Sequence, residues 1–168
     1  PYAVAIPKTT EDIKCLIEFA HSNALSIIPR AAGTSLAGQC VGDGIVVDVS
    51  KYMNAILEIN TQEQWVRVQP GVVRDELNVF LKPYGFFFGP NTSTSNRCMI
   101  GGMVGNNSSG TTSIQYGVTR DKVISLKTLL SDGSEAEFSS LSVEEFHQKL
   151  KLKTLEGHIY ATVYNELK

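Results

Sequence analysis

Two stretches of the sequence combine glycine and hydroxyl residues with a complete lack of acidic side chains, which suits the binding of an anion. The first covers residues 19–42, where Arg30 is the only formal charge, and the second covers residues 86–120, where Arg97 and Arg120 are the only charges. Glycine permits positive φ angles and lets a ligand approach the backbone closely. Because free backbone N–H groups in such loops attract anions, both stretches predict contact with an anionic ligand.

The second stretch is too apolar in places to be a flexible linker. Between residues 89 and 113, 18 of 25 positions are Gly, Ser, Thr or Asn, a composition that linkers share. Apolar residues interrupt it at Cys98, Met99 and Ile100 and again at Met103. The pattern predicts an irregular, partly buried loop whose backbone lies against a ligand.

The glycine spacings do not match the common nucleotide motifs. Gly33 and Gly38 have the spacing of a phosphate-binding loop, but Gln39 and Cys40 stand where a nucleotide triphosphatase needs lysine and serine or threonine. The glycines at residues 101–105 lack the spacing, the preceding strand and the downstream acid of a Rossmann dinucleotide fold. Two acid-free loops remain, each after a predicted short strand, at residues 25–28 and 86–88. A dinucleotide whose central pyrophosphate is held from two sides fits both loops.

The elements around the first loop predict a small parallel sheet. A strand at residues 2–6, a helix capped by Thr9 or Thr10, and strands at residues 25–28 and 45–49 form a βαβ-type unit. We expect Pro29 to end the second of these strands. The apolar run of the third strand predicts burial on both of its faces.

The remaining elements predict antiparallel strands with helices, so the fold class is α+β. An antiparallel pair at residues 55–60 and 64–69 precedes a helix that Gly85 ends. A hairpin at residues 123–138, with its tight turn at Asp132 and Gly133, comes after the second loop. Two helices, at residues 142–150 and 154–167, complete the chain, and Ser142 with Glu145 forms a capping box for the first of them.

Composition excludes several classes of function. The 168 residues have a net charge of −2, so no basic surplus is present to neutralise nucleic-acid phosphates. No apolar run approaches the roughly 20 residues of a membrane span. Cys15, Cys40 and Cys98 fit neither a disulfide framework nor a zinc site, and we expect reduced thiols in a cytoplasmic protein. The length corresponds to one domain, and a start at Pro1 with a stop inside a helical pattern suggests a piece of a longer protein.

Five landmarks in a fixed order carry a resemblance to a known family. They are PRAAGTSLAG (29–38), GIVVDVS (44–50), VRVQPGV (66–72), GPNTSTSNRCMIGG (89–102), and NNSSG (106–110) with YG (116–117). Together they resemble the FAD-binding domain of the vanillyl-alcohol oxidase and p-cresol methylhydroxylase superfamily. The second loop is most similar to glycolate oxidase and D-lactate dehydrogenase flavoproteins, in the subgroup whose flavoprotein portion is fused to an iron–sulfur portion.

The resemblance implies FAD clamped between two α+β subdomains, with its pyrophosphate on the two loops. The cofactor-binding residues that it implies in the first loop are Ala32, Gly33, Thr34, Ser35 and Leu36. Those that it implies in the second loop are Pro90, Thr94, Ser95, Gly101, Gly102, Asn106, Asn107, Gly110, Tyr116 and Gly117.

The resemblance also implies how FAD is held and what lies elsewhere. Residues 30–38 contain no His or Cys, and Cys98 does not stand at the position to which some relatives attach their flavin, so we expect non-covalent FAD. Ser109 stands where many relatives have Cys. The substrate domain and the catalytic residues are expected beyond Lys168, and an iron–sulfur cluster is compatible with that absent part.

The function that the resemblance implies is oxidation of a 2-hydroxy acid to the 2-oxo acid, with a separate electron acceptor, in a cytoplasmic or membrane-peripheral protein. A flavin reductase of cell-wall precursor synthesis and a non-catalytic nucleotide-binding module are the alternatives. Roles for Arg30, Arg97 and Arg120 stay open between ligand contact and hydrogen bonds that fix the loops. The three histidines are expected at the surface, Cys98 in the core, and Asp48 in a structural role at a strand end.

Overall fold

A three-stranded parallel sheet forms at the start of the chain, as the order of strand, helix and strand predicts. The computed structural model describes residues 1–168. The strands of the sheet are β1 (Ala3–Ala5), β2 (Ile27–Arg30) and β3 (Ile45–Asp48), in the spatial order β1-β3-β2. Ile45, Val46 and Val47 are all buried, because the central strand of such a sheet is covered on both faces.

Helix α1 (Thr10–Ser22) begins at the predicted cap. The Thr9 hydroxyl accepts a hydrogen bond from the Asp12 N–H (3.1 Å), and the Asp12 carboxylate accepts one from the Thr9 N–H (3.0 Å). The backbone N–H groups of Lys8 and Thr9 hold the pKa of Asp12 below its ordinary value. This capping box satisfies backbone donors at the helix start, and the apolar face of α1 packs its buried Ala20 against β3.

The prediction that Pro29 ends the second strand is wrong. β2 continues to Arg30, and Pro29 pairs with Val47 of β3. Since β2 lies at the edge of the sheet, one of its sides has no partner strand, and a residue without an N–H is tolerated there. The first loop therefore starts directly at Ala31.

The predicted antiparallel pair and the following helix are confirmed. They are β4 (Ile56–Asn60), β5 (Trp65–Val68) and α2 (Arg74–Leu81), and a 3₁₀ turn (Lys82–Tyr84) extends the helix. Gly85 ends it with φ of +77°, in the left-handed region that glycine adopts at low cost. Val72, Leu77 and Leu81 form the core of this part of the chain.

The second loop contains more regular structure than its composition predicts. It includes helix α3 (Ile100–Gly105), the short helix α4 (Ser113–Tyr116) and a 3₁₀ turn (Thr119–Lys122), whereas residues 86–88 form no strand. Met103 of α3 is 1% exposed, so burial of one apolar side chain outweighs the low helix propensity of the surrounding glycines. The Phe88 N–H donates to the Asn78 side chain (2.7 Å) instead of to a neighbouring strand.

Residues Ile124–Lys168 form a compact unit distinct from Pro1–Val123. The unit consists of the predicted hairpin, β6 (Ser125–Leu129) with β7 (Glu135–Ser139), and the helices α5 (Val143–Lys149) and α6 (Leu155–Leu167). Ser142 and Glu145 form the predicted capping box. Phe146 contacts the rings of Tyr160 and Tyr164. No helix in either unit is long and apolar enough to cross a membrane.

Candidate functional site

The first loop presents a run of unused backbone donors. None of the five N–H groups of residues 32–36 donates to an acceptor in the chain, and the hydroxyls of Thr34 and Ser35 have no partner either. Ala32, Thr34 and Ser35 are half-buried, and Gly33 and Leu36 are exposed, so this part of the loop is accessible to a ligand. Successive free N–H groups of this kind form an anion-binding surface.

Gly33 has a conformation and a contact that only glycine accommodates well. Its φ is +66°, and a Cβ added to it would lie 2.9 Å from the Arg30 Nε. Arg30 packs across this glycine, and its Nε lies 3.8 Å from the Asp48 Oδ2. Asp48 also accepts a hydrogen bond from the Ser50 N–H (2.9 Å). Arg30 thus shapes the first loop, while 43% of its side chain stays exposed for a ligand.

Helix α3 brings the second loop beside the first. A Cβ added to Gly102 would lie 3.5 Å from the Ala31 Cβ, and the Gln39 amide lies 3.5 Å from the Asn106 Oδ1. The Gly101 N–H donates to the Pro70 carbonyl (2.8 Å), whereas the Gly102 N–H has no acceptor in the chain. An unused donor of the second loop therefore lies next to the loop that carries the run of unused donors.

Other predicted cofactor residues take part in packing within the second loop. Pro90 is fully buried, and a Cβ at Gly110 would overlap the Asn91 carbonyl oxygen. Gly117 has φ of +76° in a turn that the Asp121 carboxylate holds by accepting the Val118 N–H (2.8 Å). These contacts explain the residue types without a ligand, so cofactor roles for Pro90, Gly110 and Gly117 stay predictions.

The start of α2 holds the segment that carries Pro90, Thr94 and Ser95. The Arg74 guanidinium donates to the carbonyls of Phe88 (3.2 Å) and Pro90 (3.1 Å) and to Asp75 (2.8 Å). The Asp75 carboxylate accepts the Ser95 hydroxyl (3.0 Å), and the Asp75 N–H donates to the Ser95 carbonyl (3.2 Å). Neither Arg74 nor Asp75 is among the candidate residues that the sequence predicts. One signal was available, because a cation in the first turn of a helix opposes the helix dipole and indicates another role.

A family model described as "FAD binding domain" matches residues 1–139 of the chain. The chain belongs to the FAD-binding domain family. The match includes both acid-free loops and confirms the resemblance that they carry.

Relatives of this FAD-binding domain include enzymes that act on hydroxy acids. The D-2-hydroxyglutarate dehydrogenase of Escherichia coli is 42% identical over 98% of the chain, and the chain spans 16% of that protein's length. A glycolate oxidase subunit of Bacillus subtilis is 37% identical over 79% of the chain, which corresponds to 28% of the subunit.

A solved structure with the same fold is that of 6-hydroxy-D-nicotine oxidase from Arthrobacter nicotinovorans. It superposes with a TM-score of 0.72 over 81% of the chain and 29% of the oxidase, at 23% identity. At that identity the likeness establishes the fold alone.

The residues of the two adjacent loops fit FAD. The unused N–H groups of residues 32–36 and of Gly102 suit the oxygens of a pyrophosphate, and no acidic side chain of these loops opposes its charge. Each loop also carries a fully exposed apolar side chain, Leu36 in the first and Ile114 in the second. Tyr116 contacts Phe87 edge to face, with ring centroids 5.1 Å apart.

Cys98 is a buried packing residue in the FAD-binding domain, as predicted. It is 4% exposed, and its Sγ lies 3.3 Å from the Thr92 hydroxyl and 3.5 Å from the Met103 Sδ. The thiol is therefore enclosed by its neighbours and not presented at the surface. Ser109, at the position where many relatives have Cys, is exposed.

The remaining charged candidates lie at the surface. Arg97 donates to the neighbouring Asn96 side chain (3.1 Å), and Arg120, with 78% of its side chain exposed, lies 3.8 Å from Asp121. Both contacts are local, so ligand roles for the two arginines stay open. The three histidines are exposed, as predicted, and they are His21, His147 and His158. No group of three or more metal-ligating side chains is present in the chain.

Proposed function

We propose that the chain is the FAD-binding part of a dehydrogenase that oxidises a 2-hydroxy acid to the 2-oxo acid. The observation that carries the proposal is the 42% identity, over 98% of the chain, to an enzyme named for D-2-hydroxyglutarate. D-2-Hydroxyglutarate is therefore the first substrate to test, ahead of glycolate and D-lactate. We expect the groups that bind the substrate and accept its proton to lie outside residues 1–168.

In this oxidation the C2–H bond of the hydroxy acid breaks, the hydroxyl proton goes to a base, and the C2–O bond becomes a carbonyl. FAD, when bound, would supply the acceptor for the hydride and its two electrons. The residues of this chain bind and orient the cofactor. Free N–H groups at residues 32–36 and at Gly102 would hold the pyrophosphate, while Leu36 and Tyr116 would supply apolar contact.

The experiment uses the purified full-length protein under anaerobic conditions. We expect the absorbance of oxidised flavin and its bleaching by one of D-2-hydroxyglutarate, D-lactate or glycolate, with the L-enantiomers of the chiral acids as controls. Bleaching by a nicotinamide nucleotide alone would support the cell-wall precursor reductase instead. A colourless protein that takes up no FAD would support a nucleotide-binding module without redox chemistry.

We propose further that the FAD is non-covalent. Burial of Cys98 and the lack of His or Cys at residues 30–38 support this proposal. We expect denaturation to release all flavin from the polypeptide. Mass spectrometry of the denatured chain would contradict the proposal if it found the added mass of a flavin.

The same proposal includes an iron–sulfur cluster, a cytoplasmic or membrane-peripheral location and a separate electron acceptor. The cluster would be bound by segments outside residues 1–168. Iron and acid-labile sulfide analysis of the full-length protein tests for the cluster, and fractionation of cells tests the location.

A further inference from the structure

We propose that Arg74 and Asp75 form a positioning pair that sets the backbone of the second loop for the cofactor. The inference rests on the FAD-binding function proposed above and adds two residues that do not themselves contact the cofactor. They act through the segment from Phe88 to Ser95, which contains no helix or strand of its own.

Arg74 is held on three sides, so its guanidinium has a defined orientation. Its side chain is only 14% exposed, and its donors reach two loop carbonyls and the Asp75 carboxylate at 2.8–3.2 Å. The planar fork of arginine can serve all three acceptors at once, which the single ammonium group of lysine cannot do with the same geometry.

The two carbonyls that Arg74 binds determine where the neighbouring N–H groups point. In a trans peptide the C=O and the following N–H have opposite directions, and the chain contains no cis peptide bond. With the Phe88 and Pro90 carbonyls turned toward Arg74, the N–H groups of Gly89 and Asn91 point away from α2. Neither N–H has an acceptor in the chain, and Gly89 is buried, where an unpaired donor is rare. Asn91, unlike Gly89, is partly exposed, so its N–H is the donor that stays available to a ligand.

Asp75 secures the other end of the same segment. It holds Ser95 by a side-chain bond and a backbone bond, and its other carboxylate oxygen accepts from Arg74. Asn78 adds two bonds to Phe88, one to its N–H and one from the Asn78 amide to its carbonyl. One face of α2 thus fixes the loop at both ends, and Pro90 and Ser95 cannot shift without breaking these bonds.

The test measures FAD affinity and protein stability separately in the full-length protein. Arg74→Met, Arg74→Lys and Asp75→Asn are compared with the wild type, and Arg67→Met is the control. Arg67 is a half-exposed arginine that also pairs with a carboxylate, that of Glu58 (3.1 Å), but outside the loops. The flavin-free protein is titrated with FAD, and its thermal unfolding and the visible circular dichroism of the FAD-saturated protein are recorded.

We expect Arg74→Met to weaken FAD binding by roughly tenfold or more and to change the dichroism of the bound flavin, since the Asn91 donor loses its direction. Arg74→Lys should recover part of the affinity, and Arg67→Met should stay within about twofold of the wild type. If Arg74→Met fails to fold, a weakened affinity and an altered flavin spectrum in Asp75→Asn carry the same conclusion.

Three results would overturn the proposal. They are an unchanged FAD affinity in both Arg74→Met and Asp75→Asn, an equal loss of affinity in Arg67→Met, and a loss of thermal stability with no change in affinity or dichroism. A wild-type protein that binds no FAD would overturn the proposed function itself, and this inference with it.

Discussion

At the scale of single residues, Gly33 and Gly102 lie close to where the two loops meet, and a side chain would disturb the two positions for different physical reasons. Gly33 has φ of +66°, and any side chain on it would press on Arg30. Gly102 has no positive φ, and a Cβ there would make only an ordinary contact with Ala31, at 3.5 Å. Replacement of Gly33 by any residue therefore strains the backbone, whereas replacement of Gly102 tests the electrostatics of the site.

We expect Gly102→Asp to weaken FAD binding in the full-length protein by roughly 30-fold or more and Gly102→Ala to retain most of the affinity. A carboxylate beside the unused N–H of Gly102 opposes the charge of a pyrophosphate and costs about 2 kcal/mol or more at contact distance, while a methyl group adds no charge. Flavin content per chain and FAD titration measure both variants. Equal losses in the two variants would show that the position tolerates no side chain and would remove the electrostatic explanation.

The ionisation of Asp75, which holds the second loop, makes the stability of the protein depend on pH. Its bonds with Arg74 and then with Ser95 hold the pKa of its carboxyl below the ordinary value of 3.8. A lowered pKa in the folded state contributes stability that is present above the ordinary value and is lost as the pH falls through the folded value. As the pH falls from about 5 to below the ordinary value of 3.8, we expect the free energy of unfolding to fall more steeply in the wild type than in Asp75→Asn. Denaturant unfolding across this range measures both slopes, and parallel slopes would exclude the ion pair as a source of stability.

At the scale of elements, the 3₁₀ turn (Thr119–Lys122) supports the turn that carries two predicted cofactor residues, Asn106 and Asn107. Thr119 is fully buried, and both its hydroxyl (2.7 Å) and its N–H (3.1 Å) donate to the Ser108 carbonyl. The Arg120 N–H donates to the Asn107 side chain (3.0 Å), and Asn107 has φ of +46°. Bonds from a later segment thus hold this residue in the left-handed region.

Thr119→Val is expected to lower the free energy of unfolding by about 1–2 kcal/mol, because it keeps the shape of the side chain and removes a buried hydrogen bond. FAD affinity should fall with it, since the turn at Asn107 loses one of its supports. Thr119→Ser retains the hydroxyl and serves as the matched control, with a smaller cost from the lost methyl group. Denaturant unfolding and FAD titration measure both quantities, and equal effects of Val and Ser would assign the role of Thr119 to packing.

On the scale of the whole molecule, the chain spans 16% of the length of its E. coli relative, and several of the residues predicted to bind FAD, such as Gly102 and Asn106, are exposed. Leu36 and Ile114, one in each loop, expose their entire side chains, and covering them by a ligand or by another part of the protein would be favourable. We infer that segments beyond residues 1–168 cover part of the cofactor.

Residues 1–168 alone are therefore expected to fold but to bind FAD weakly, without dehydrogenase activity. Loss of roughly 100 Å² of apolar contact costs about 2.5 kcal/mol at ~25 cal/mol per Å², which is nearly two orders of magnitude in affinity. Circular dichroism establishes folding, and quenching of flavin fluorescence measures binding by the fragment and by the full-length protein. Equal affinities would show that no other segment contributes to the cofactor site.

Local signals in the sequence were sufficient for the α+β class and for most elements. The capping boxes at Thr9 and Ser142, the stop at Gly85 and the alternation of β4 and β5 depend on neighbours within a few residues, so the sequence alone predicts them. The lack of acids and the abundance of glycine in the two loops are also properties of the sequence alone, and they were enough to predict an anion-binding region.

Features that depend on contacts between residues far apart in the sequence are decided only by the tertiary structure. Pro29 stays in a strand because β2 lies at the sheet edge, and α3 forms because Met103 is buried. The contact of Ala31 with Gly102 and the bonds from Arg74 to Phe88 and Pro90 join positions far apart along the chain. No local pattern encodes such contacts, because their free energy comes from burial and hydrogen bonding that exist only once the chain has folded. The sequence by itself therefore determined what kind of ligand the loops suit, and the folded structure decided which donors stay free to bind it.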